Sequence, residues 1–364
     1  MSHPIAEIRY KKCRVRLKRT FRTALGEEHE ETILLVAVVD KRGQIGYGEA
    51  CPAPRITGST LTSCEDFLQE LANRLRVEQV YCYEKDKLHK IMKRLSRGVP
   101  EAKAAVDIAV YDIHSKEAGE PLWKFLGADK TEIQTDITVS LGDIESMLYE
   151  AKDYVSSGFN ILKIKVGDDP LQDLSKLKIL RQNIPENVKF RIDANQGWKD
   201  VRAVIQIIDQ IPELGIELIE QPLPAKWLSE LIELSGVSKV PIVLDESVHD
   251  LEDLVNLIQL GFRDGINIKL MKCGGVTEAL KMGYVARAFR MKLMFGCMLE
   301  TKISITAAAC LASLFNADYV DLDSPLLIAE TSVPIHGGVE YIGDKIILPK
   351  DPGLGIKVND PDLG

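Results

Sequence analysis

The chain has no two cysteines spaced C-x-x-C. Its seven (Cys13, Cys51, Cys64, Cys82, Cys273, Cys297 and Cys310) are scattered and odd in number. That usage suits a reducing cytoplasm and supplies no structural zinc site. The six histidines form no H-E-x-x-H. Neither a G-x-G-x-x-G turn nor a P-loop is present, which speaks against an open doubly wound sheet built around a nucleotide. The longest apolar runs, Ile33–Val39 and Ala307–Leu314, are far short of the ~20 residues of a membrane span. The opening MSHPIAEIRYKK lacks the apolar stretch of a signal peptide, so a cytoplasmic protein off the membrane is expected. No basic run interleaved with aromatics occurs, and the net charge is −8, so a nucleic-acid partner is not expected. A small molecule or a metal ion is the expected partner.

At 364 residues with 45% hydrophobic content, the chain suits a barrel of about 200–250 residues plus a companion. Two β runs, Glu7–Lys18 and Thr32–Asp40, flank a polar loop Gly26–Glu31, and a turn at Lys41–Gln44 leads into Ile45–Glu49. Helical periodicity follows at Ser63–Leu75, Lys85–Leu95 and Ala102–Ala118. Residues 1–126 therefore read as an α+β cap. From about Ile133 strands and helices alternate. Strand ends fall near Thr138, Lys165, Asp193, Glu220, Asp245, Lys269, Cys297 and Asp323, in steps of 24 to 28 residues. That step is one βα unit, and eight of them close a (β/α)8 TIM-type barrel over residues 127–325. The intervening helices are expected at Asp173–Gln182, Arg202–Gln210, Lys226–Leu234, Leu251–Gln259, Val276–Phe289 and Ile303–Phe315. Residues 326–364 form a tail whose GGVEYIGDKIILP holds a short strand, expected to pack back on the cap.

Charges are scarce at the ends of apolar strands, because burying each one unpaired costs several kcal/mol. Here Lys165, Asp193, Glu220, Asp245, Lys269 and Asp323 occupy such ends, the place where barrels of this kind carry their active residues. Strand alternation turns Lys163 the same way as Lys165, and Asp321 the same way as Asp323. Asp193, Glu220 and Asp245 close neighbouring strands three, four and five. Their all-oxygen set suits Mg²⁺ or Mn²⁺. Pairing of each carboxylate with a lysine is the alternative, disfavoured because about three lysines face five carboxylates. Lys165 on strand two and Lys269 on strand six are opposed across an eight-membered ring. One amine on each face of a carbon is the arrangement for moving a proton from one face to the other. Lys163 is expected to lower the pKa of Lys165. Asp321 and Asp323 on strand eight are expected far from the metal, across the substrate, as acceptors for an ammonium group; capping before Pro325 is the alternative.

The pieces Lys163-Ile-Lys165, Asp193-Ala-Asn195, Glu220-Gln221-Pro222, Asp245-Glu246-Ser247, Lys269 within NIKLMKCGG and Gly46-Tyr-Gly-Glu49-Ala50 resemble the enolase superfamily, specifically its muconate-lactonizing-enzyme subgroup. The resemblance implies a modified barrel, (β/α)7β, with the cap completed by the C-terminal tail. It implies Asp193, Glu220 and Asp245 as metal ligands, with Asn195 and Glu246 standing behind them, and Lys165 and Lys269 as the acid/base pair. Asp321-x-Asp323 is similar to the pair that binds the α-ammonium group in dipeptide epimerases of the L-Ala-D/L-Glu type. Thr138, Cys297 and Leu299 match positions that face the substrate. The implied activity is a Mg²⁺-dependent dipeptide epimerase acting on the C-terminal residue's α-carbon through a metal-stabilised enediolate, in a homo-oligomer. N-acylamino-acid racemisation, o-succinylbenzoate synthesis and cycloisomerisation share that scaffold. One departure matters: where Ala-Glu epimerases carry a cap-loop arginine, this chain has Gly26 followed by Glu27, Glu28, His29, Glu30 and Glu31. The expected substrate is therefore a dipeptide with an apolar or cationic second residue; the alternative is that these glutamates are merely solvated and Arg22 or Arg55 takes the arginine's role.

Overall fold

Alternation along KKCRVRLK turns Cys13, Val15 and Leu17 inward and leaves Lys12, Arg14, Arg16 and Lys18 exposed, the period of a strand with one buried face. In this computed structural model, which describes residues 3–363, that strand is β1 (Ile5–Thr23). It pairs antiparallel with β2 (Gly26–Asp40), which pairs with β3 (Ile45–Ala50). The polar loop expected over Gly26–Glu31 is not a loop. Thr23 pairs with Gly26, and only Ala24 and Leu25 turn the chain. Residues 27–30 stay extended because β1 faces them with cations: Arg22 sits opposite Glu27 and Arg16 opposite Glu30. β2 is an inner strand of its sheet and serves both cores. Ile33, Leu35 and Ala37 join the barrel core, while Leu34, Val36 and Val38 join a second core under α1 (Leu61–Val77), α2 (Lys85–Leu95) and α3 (Pro100–Glu117). α3 lies directly on β3. A Cβ at Gly48 would stand 1.9 Å from the Ala105 carbonyl oxygen, so only glycine allows the approach.

A short α4 (Leu122–Leu126) and β4 (Glu132–Gln134) lead into the barrel. Its parallel strands are β5 (Ile137–Val139), β6 (Ile161–Lys165), β7 (Lys189–Asp193), β8 (Ile216–Glu220), β9 (Ile242–Leu244), β10 (Gly265–Ile268), β11 (Lys292–Gly296) and β12 (Tyr319–Asp321), neighbouring one another in chain order. Between them run α5 (Ile144–Ser156), α6 (Pro170–Asn183), α7 (Val201–Ile208), α8 (Leu228–Val237), α9 (Leu251–Gln259), α10 (Leu270–Cys273) with α11 (Val276–Ala288), and α12 (Lys302–Leu314). Four of these helices begin with an aspartate whose carboxylate accepts from first-turn N–H groups: Asp143, Asp169, Asp200 and Asp250. Each such cap contributes about 1 kcal/mol and suits the positive end of the helix dipole. After β12 only a four-residue α13 (Ser324–Leu327) follows, so the architecture is (β/α)7β.

The ring closes between β5 and β12 largely through side chains. The Asp136 N–H donates to the Val320 carbonyl (3.2 Å), the Leu322 N–H to Thr135 Oγ1 (3.0 Å) and the Thr138 N–H to Asp323 Oδ2 (2.7 Å). Arg191, buried at this seam, donates to Asp136 and to the Val320 carbonyl. The tail then divides. β13 (Ile328–Thr331) pairs with β1 of the cap, and β14 (Ile335–Gly337) pairs with β17 (Ile356–Val358). The GGVEYIGDKIILP strand does not return to the cap. Its hairpin, β15 (Glu340–Ile342) and β16 (Lys345–Ile347), adds to β4 at the barrel entrance, where Asp344 accepts from Thr135, Gln134 and Asn160. No helix among the described residues is long and apolar enough to cross a membrane.

Candidate active site

Each charged residue leaves its strand where the apolar run stops. Lys165, Asp193 and Glu220 are the last residues of β6, β7 and β8; Asp245 and Lys269 directly follow β9 and β10; Asp321 ends β12. They converge at the C-terminal mouth of the barrel. A cavity of about 390 Å³ there is lined by Lys163, Lys165, Asn195, Lys269, Asp321 and Asp323 below. Thr138, Cys297 and Leu299 form its sides, and Phe21, Gly26, Glu28, Glu31 and Arg55 of the cap form its roof. Asp193, Glu220 and Asp245 lie beneath, each 0% exposed.

In this floor the ammonium groups hold the carboxylates. Lys163 stands 2.6 Å from Asp321, 2.8 Å from Glu220 and 3.1 Å from Asp193. Lys165 donates to Asp193 (2.7 Å) and Asn195 Oδ1 (3.1 Å). Lys269 lies 2.9 Å from Asp245, and a fourth lysine, Lys272, lies 2.5 Å from the same carboxylate. Lysine pairing, for which the strand ends alone offer too few amines, is realised because Lys163 serves three carboxylates at once and Lys272 adds a fourth amine. Among the described residues no three acidic, histidine or cysteine side chains stand together in ligating geometry.

The electrostatics follow from this packing. Burial opposes ionisation of Asp193, but Lys165 and Lys163 outweigh it and hold the carboxyl at about 2. Asp245, equally buried, is driven far below the usual carboxylate range by Lys269 and Lys272. Burial works against the Lys269 ammonium, yet Asp245 more than offsets it and moves its pKa upward. Lys163 moves the same way: despite burial, Asp321, Glu220 and Asp193 keep it charged. Its charge is committed to those three partners. Glu246, which accepts from Asn195 (3.1 Å), is pushed up to about 8 by burial and by Asp245 and Asp193. Glu220, Asp245 and Glu246 offer a divalent cation oxygens of the right chemistry, although not in ligating geometry. Glu220 Oε2, both Asp245 oxygens and Glu246 Oε2 are buried without a directed hydrogen bond, although ammonium nitrogens stand close to the first three. Such lone pairs suit a hard cation, which imposes no donor angle.

Asp321 is not remote from the carboxylate arc. One ammonium, Lys163, bridges it to Asp193 and Glu220, because side chains three and four strands apart all point into a narrow ring. Asp323 does not cap α13 through its side chain. It accepts from Thr138 instead, and burial with the neighbouring Asp321 lifts it to about 6. Cys297 donates its thiol to the Asp321 carbonyl (3.3 Å). At the roof, a Cβ on Gly26 would collide with Arg55, whose guanidinium contacts Glu28 at 3.4 Å. Arg22 is exposed and paired with Glu27. Glu31, half-buried on the cavity wall, is raised to about 6 by burial and by Glu28.

Of the two arginines considered for the cap-loop role, Arg55 lines the cavity. Sequence reasoning missed Lys272, Asn267, which donates to Glu220 (2.8 Å), and Phe21, whose ring lies 5.8 Å from the Lys165 ammonium. The K-x-x-K spacing of Lys269 and Lys272 was the available signal for the first.

Residues 5–127 match the mandelate racemase / muconate lactonizing enzyme N-terminal domain, and residues 146–363 match the enolase C-terminal domain-like family. The chain belongs to the mandelate racemase/muconate lactonizing enzyme family of the enolase superfamily. It is 38% identical to the L-Ala-D/L-Glu epimerase of Bacillus subtilis, over 97% of this chain and 96% of that protein. The N-succinyl-L-Arg/Lys racemase of Bacillus cereus is 29% identical over 96% of this chain and 94% of its own. The fold superimposes on the crystal structure of a dipeptide epimerase from Enterococcus faecalis complexed with Mg and L-Leu-L-Tyr, with a TM-score of 0.92, 34% identity, and coverage of 97% of this chain and 99% of that one. Its close relatives are epimerases and racemases, and this chain is an isomerase of that type.

Proposed function

We propose that this protein is a Mg²⁺-dependent dipeptide epimerase that inverts the α-carbon of the C-terminal residue. The observation that carries the reading is the entry of Lys165 and Lys269 into one cavity from strands two and six of the ring, with the buried Asp193, Glu220 and Asp245 arc between them. A substrate α-carbon held between the two amines loses its proton to one and regains it from the other on the opposite face. The amine that receives the proton must first be neutral, so Lys269 must leave Asp245, which holds it charged, before it can act as a base. Asp193, Glu220 and Asp245 would hold the cation, which supplies charge stabilisation for the substrate carboxylate as the α-proton leaves. Asn195 and Glu246 orient the arc from behind.

Asp323, with Asp321, lies within the cavity as an acceptor for the dipeptide's α-ammonium group, and Thr138, Cys297 and Leu299 frame the backbone. The second side chain meets Leu25, Ile33, Ile56 and then Glu31 and Glu28. Two carboxylates face one guanidinium there, so an aliphatic stem ending in a cation suits the wall and a glutamyl side chain is repelled.

In D₂O the wild type is expected to exchange the α-hydrogen of both epimers. Lys165→Ala and Lys269→Ala each lose exchange from a different epimer. Exchange of both epimers by both variants would contradict the two-base assignment. N-acylamino-acid racemisation is the second reading, favoured by the commitment of Asp321 to Lys163. Asp323→Asn separates the two: its amide oxygen still accepts from the Thr138 N–H at the seam, while the lost charge cripples a substrate that carries a free ammonium group and spares one that does not.

A further inference from the structure

Glu49 of β3 and Glu300, beyond β11, meet across the boundary between cap and barrel, 0% and 1% exposed. No lysine, arginine or histidine forms an ion pair with either among the described residues. Both reach the same hydroxyl: Ser304 Oγ contacts Glu49 Oε1 and lies 2.6 Å from Glu300 Oε2. That hydroxyl has one hydrogen and can donate to one carboxylate. If both acids were ionised, the other contact would set two oxygen lone pairs against each other in a buried site. One carboxyl must therefore bring a proton. Glu49 already accepts from the Ser304 N–H (3.0 Å) and the Thr301 hydroxyl (2.6 Å), whereas Glu300 has one other donor, the Met298 N–H (2.7 Å). The anion belongs on Glu49 and the proton on Glu300.

We propose that a single proton, running from Glu300 through Ser304 to Glu49, clamps the two loops of the substrate pocket together, with Glu300 as a positioning residue. Glu300 ends the pocket segment Cys297–Leu299, and its backbone is bonded in both directions to Ser324, next to Asp323. Glu49 precedes the cap segment Pro52–Ile56 that lines the roof. The clamp thus fixes pocket walls contributed by both parts of the chain, without touching the reacting groups. Burial, then Glu49, raises the Glu300 carboxyl to about 7, opposed by Ser304, Met298 and Lys269. The other titratable groups in the field of the pair are Cys13, Cys51 and Cys297, and Cys51 also feels Glu101 and Glu31.

Because the folded-state value is raised, the proton's contribution to stability is complete below the ordinary carboxyl range and is lost as pH rises through about 7. Two readouts need no substrate. The infrared carbonyl stretch of a protonated carboxyl, recorded as wild type minus Glu300→Gln at pH 6, is expected as one band that titrates away near neutrality. The thermal midpoint of the wild type falls between pH 6 and 8.5 more steeply than that of Glu300→Gln, whose amide donates to Ser304 at every pH. The third readout rests on the epimerase reading. KM of the wild type rises above neutrality by up to about tenfold per pH unit, the ceiling for one proton, while kcat holds and the variant's KM changes less than about twofold. No difference band together with parallel thermal profiles would show two ionised acids and overturn the proposal, whatever the activity. Should Glu300→Gln fail to fold, Glu49→Gln tests the same proton: its amide turns the Ser304 hydrogen toward Glu300, so the band moves to lower pH, and an unmoved band overturns the proposal.

Discussion

Asp245 has two ammonium neighbours, and they do different things. Lys269 reaches the cavity, whereas Lys272 is 2% exposed and also donates to the carbonyls of Asp245, Val248 and Asn267. Replacing Lys272 by Met takes a donor from three buried carbonyls, of which that of Asp245 keeps the Val248 N–H, and leaves Asp245 with one ammonium partner. A loss of about 3–5 kcal/mol is expected for a broken buried pair, read as a lower urea midpoint at unchanged slope. Glu31 makes a prediction of another kind. Its carboxyl titrates at about 6, and only the ionised form attracts a cationic side chain. KM for a cationic dipeptide should therefore rise as pH falls through 6, while a neutral dipeptide shows no such rise. Glu31→Gln should abolish the difference and reduce cationic preference roughly tenfold, about 1.4 kcal/mol. Equal KM profiles for both substrates would remove Glu31 from specificity. Single residues were legible in the sequence when their chemistry was out of place: a charge ending an apolar run. Glu300 was not, because its partner Glu49 lies in the cap, far back along the chain, and nothing local marks the pair.

Elements were legible to the extent that their pattern was local. β6, β7 and β8 end at the charges expected, since a run such as ILKIK stops being apolar where it meets the cavity. α9 and α2 match their periodicity residue for residue. The β1–β2 hairpin was misread because its outer half is held by cross-strand pairs of opposite charge, which a window along one strand does not contain. α5 was passed over although Asp143 caps it. At this scale the tightest contact is that of β3 with α3. Gly48→Ala would drive a methyl into the Ala105 carbonyl, and α3 must shift off the sheet. A destabilisation of about 1–3 kcal/mol is expected from overpacking of this kind, measured as a lowered thermal midpoint; an unchanged midpoint would mean that the helix yields freely.

Across the whole molecule, the site's carboxylates are neutralised by Lys163, Lys165, Lys269 and Lys272. The fold therefore does not depend on a cation to silence their repulsion. A chelator should abolish turnover while leaving the circular dichroism spectrum intact, and added Mg²⁺ should raise stability by about 2.7 kcal/mol at a hundredfold excess over its Kd. Unfolding on chelation would contradict the compensation. The seam between β5 and β12 has its own consequence for anyone redesigning this protein. Asp323 is both a pocket acceptor and a fastener of the ring, through Thr138. A library that varies Asp323 in search of new substrates will select for barrels that stay shut as much as for binding. Glu31 and Arg55 hold no strand together with their side chains, so diversity introduced there tests recognition alone.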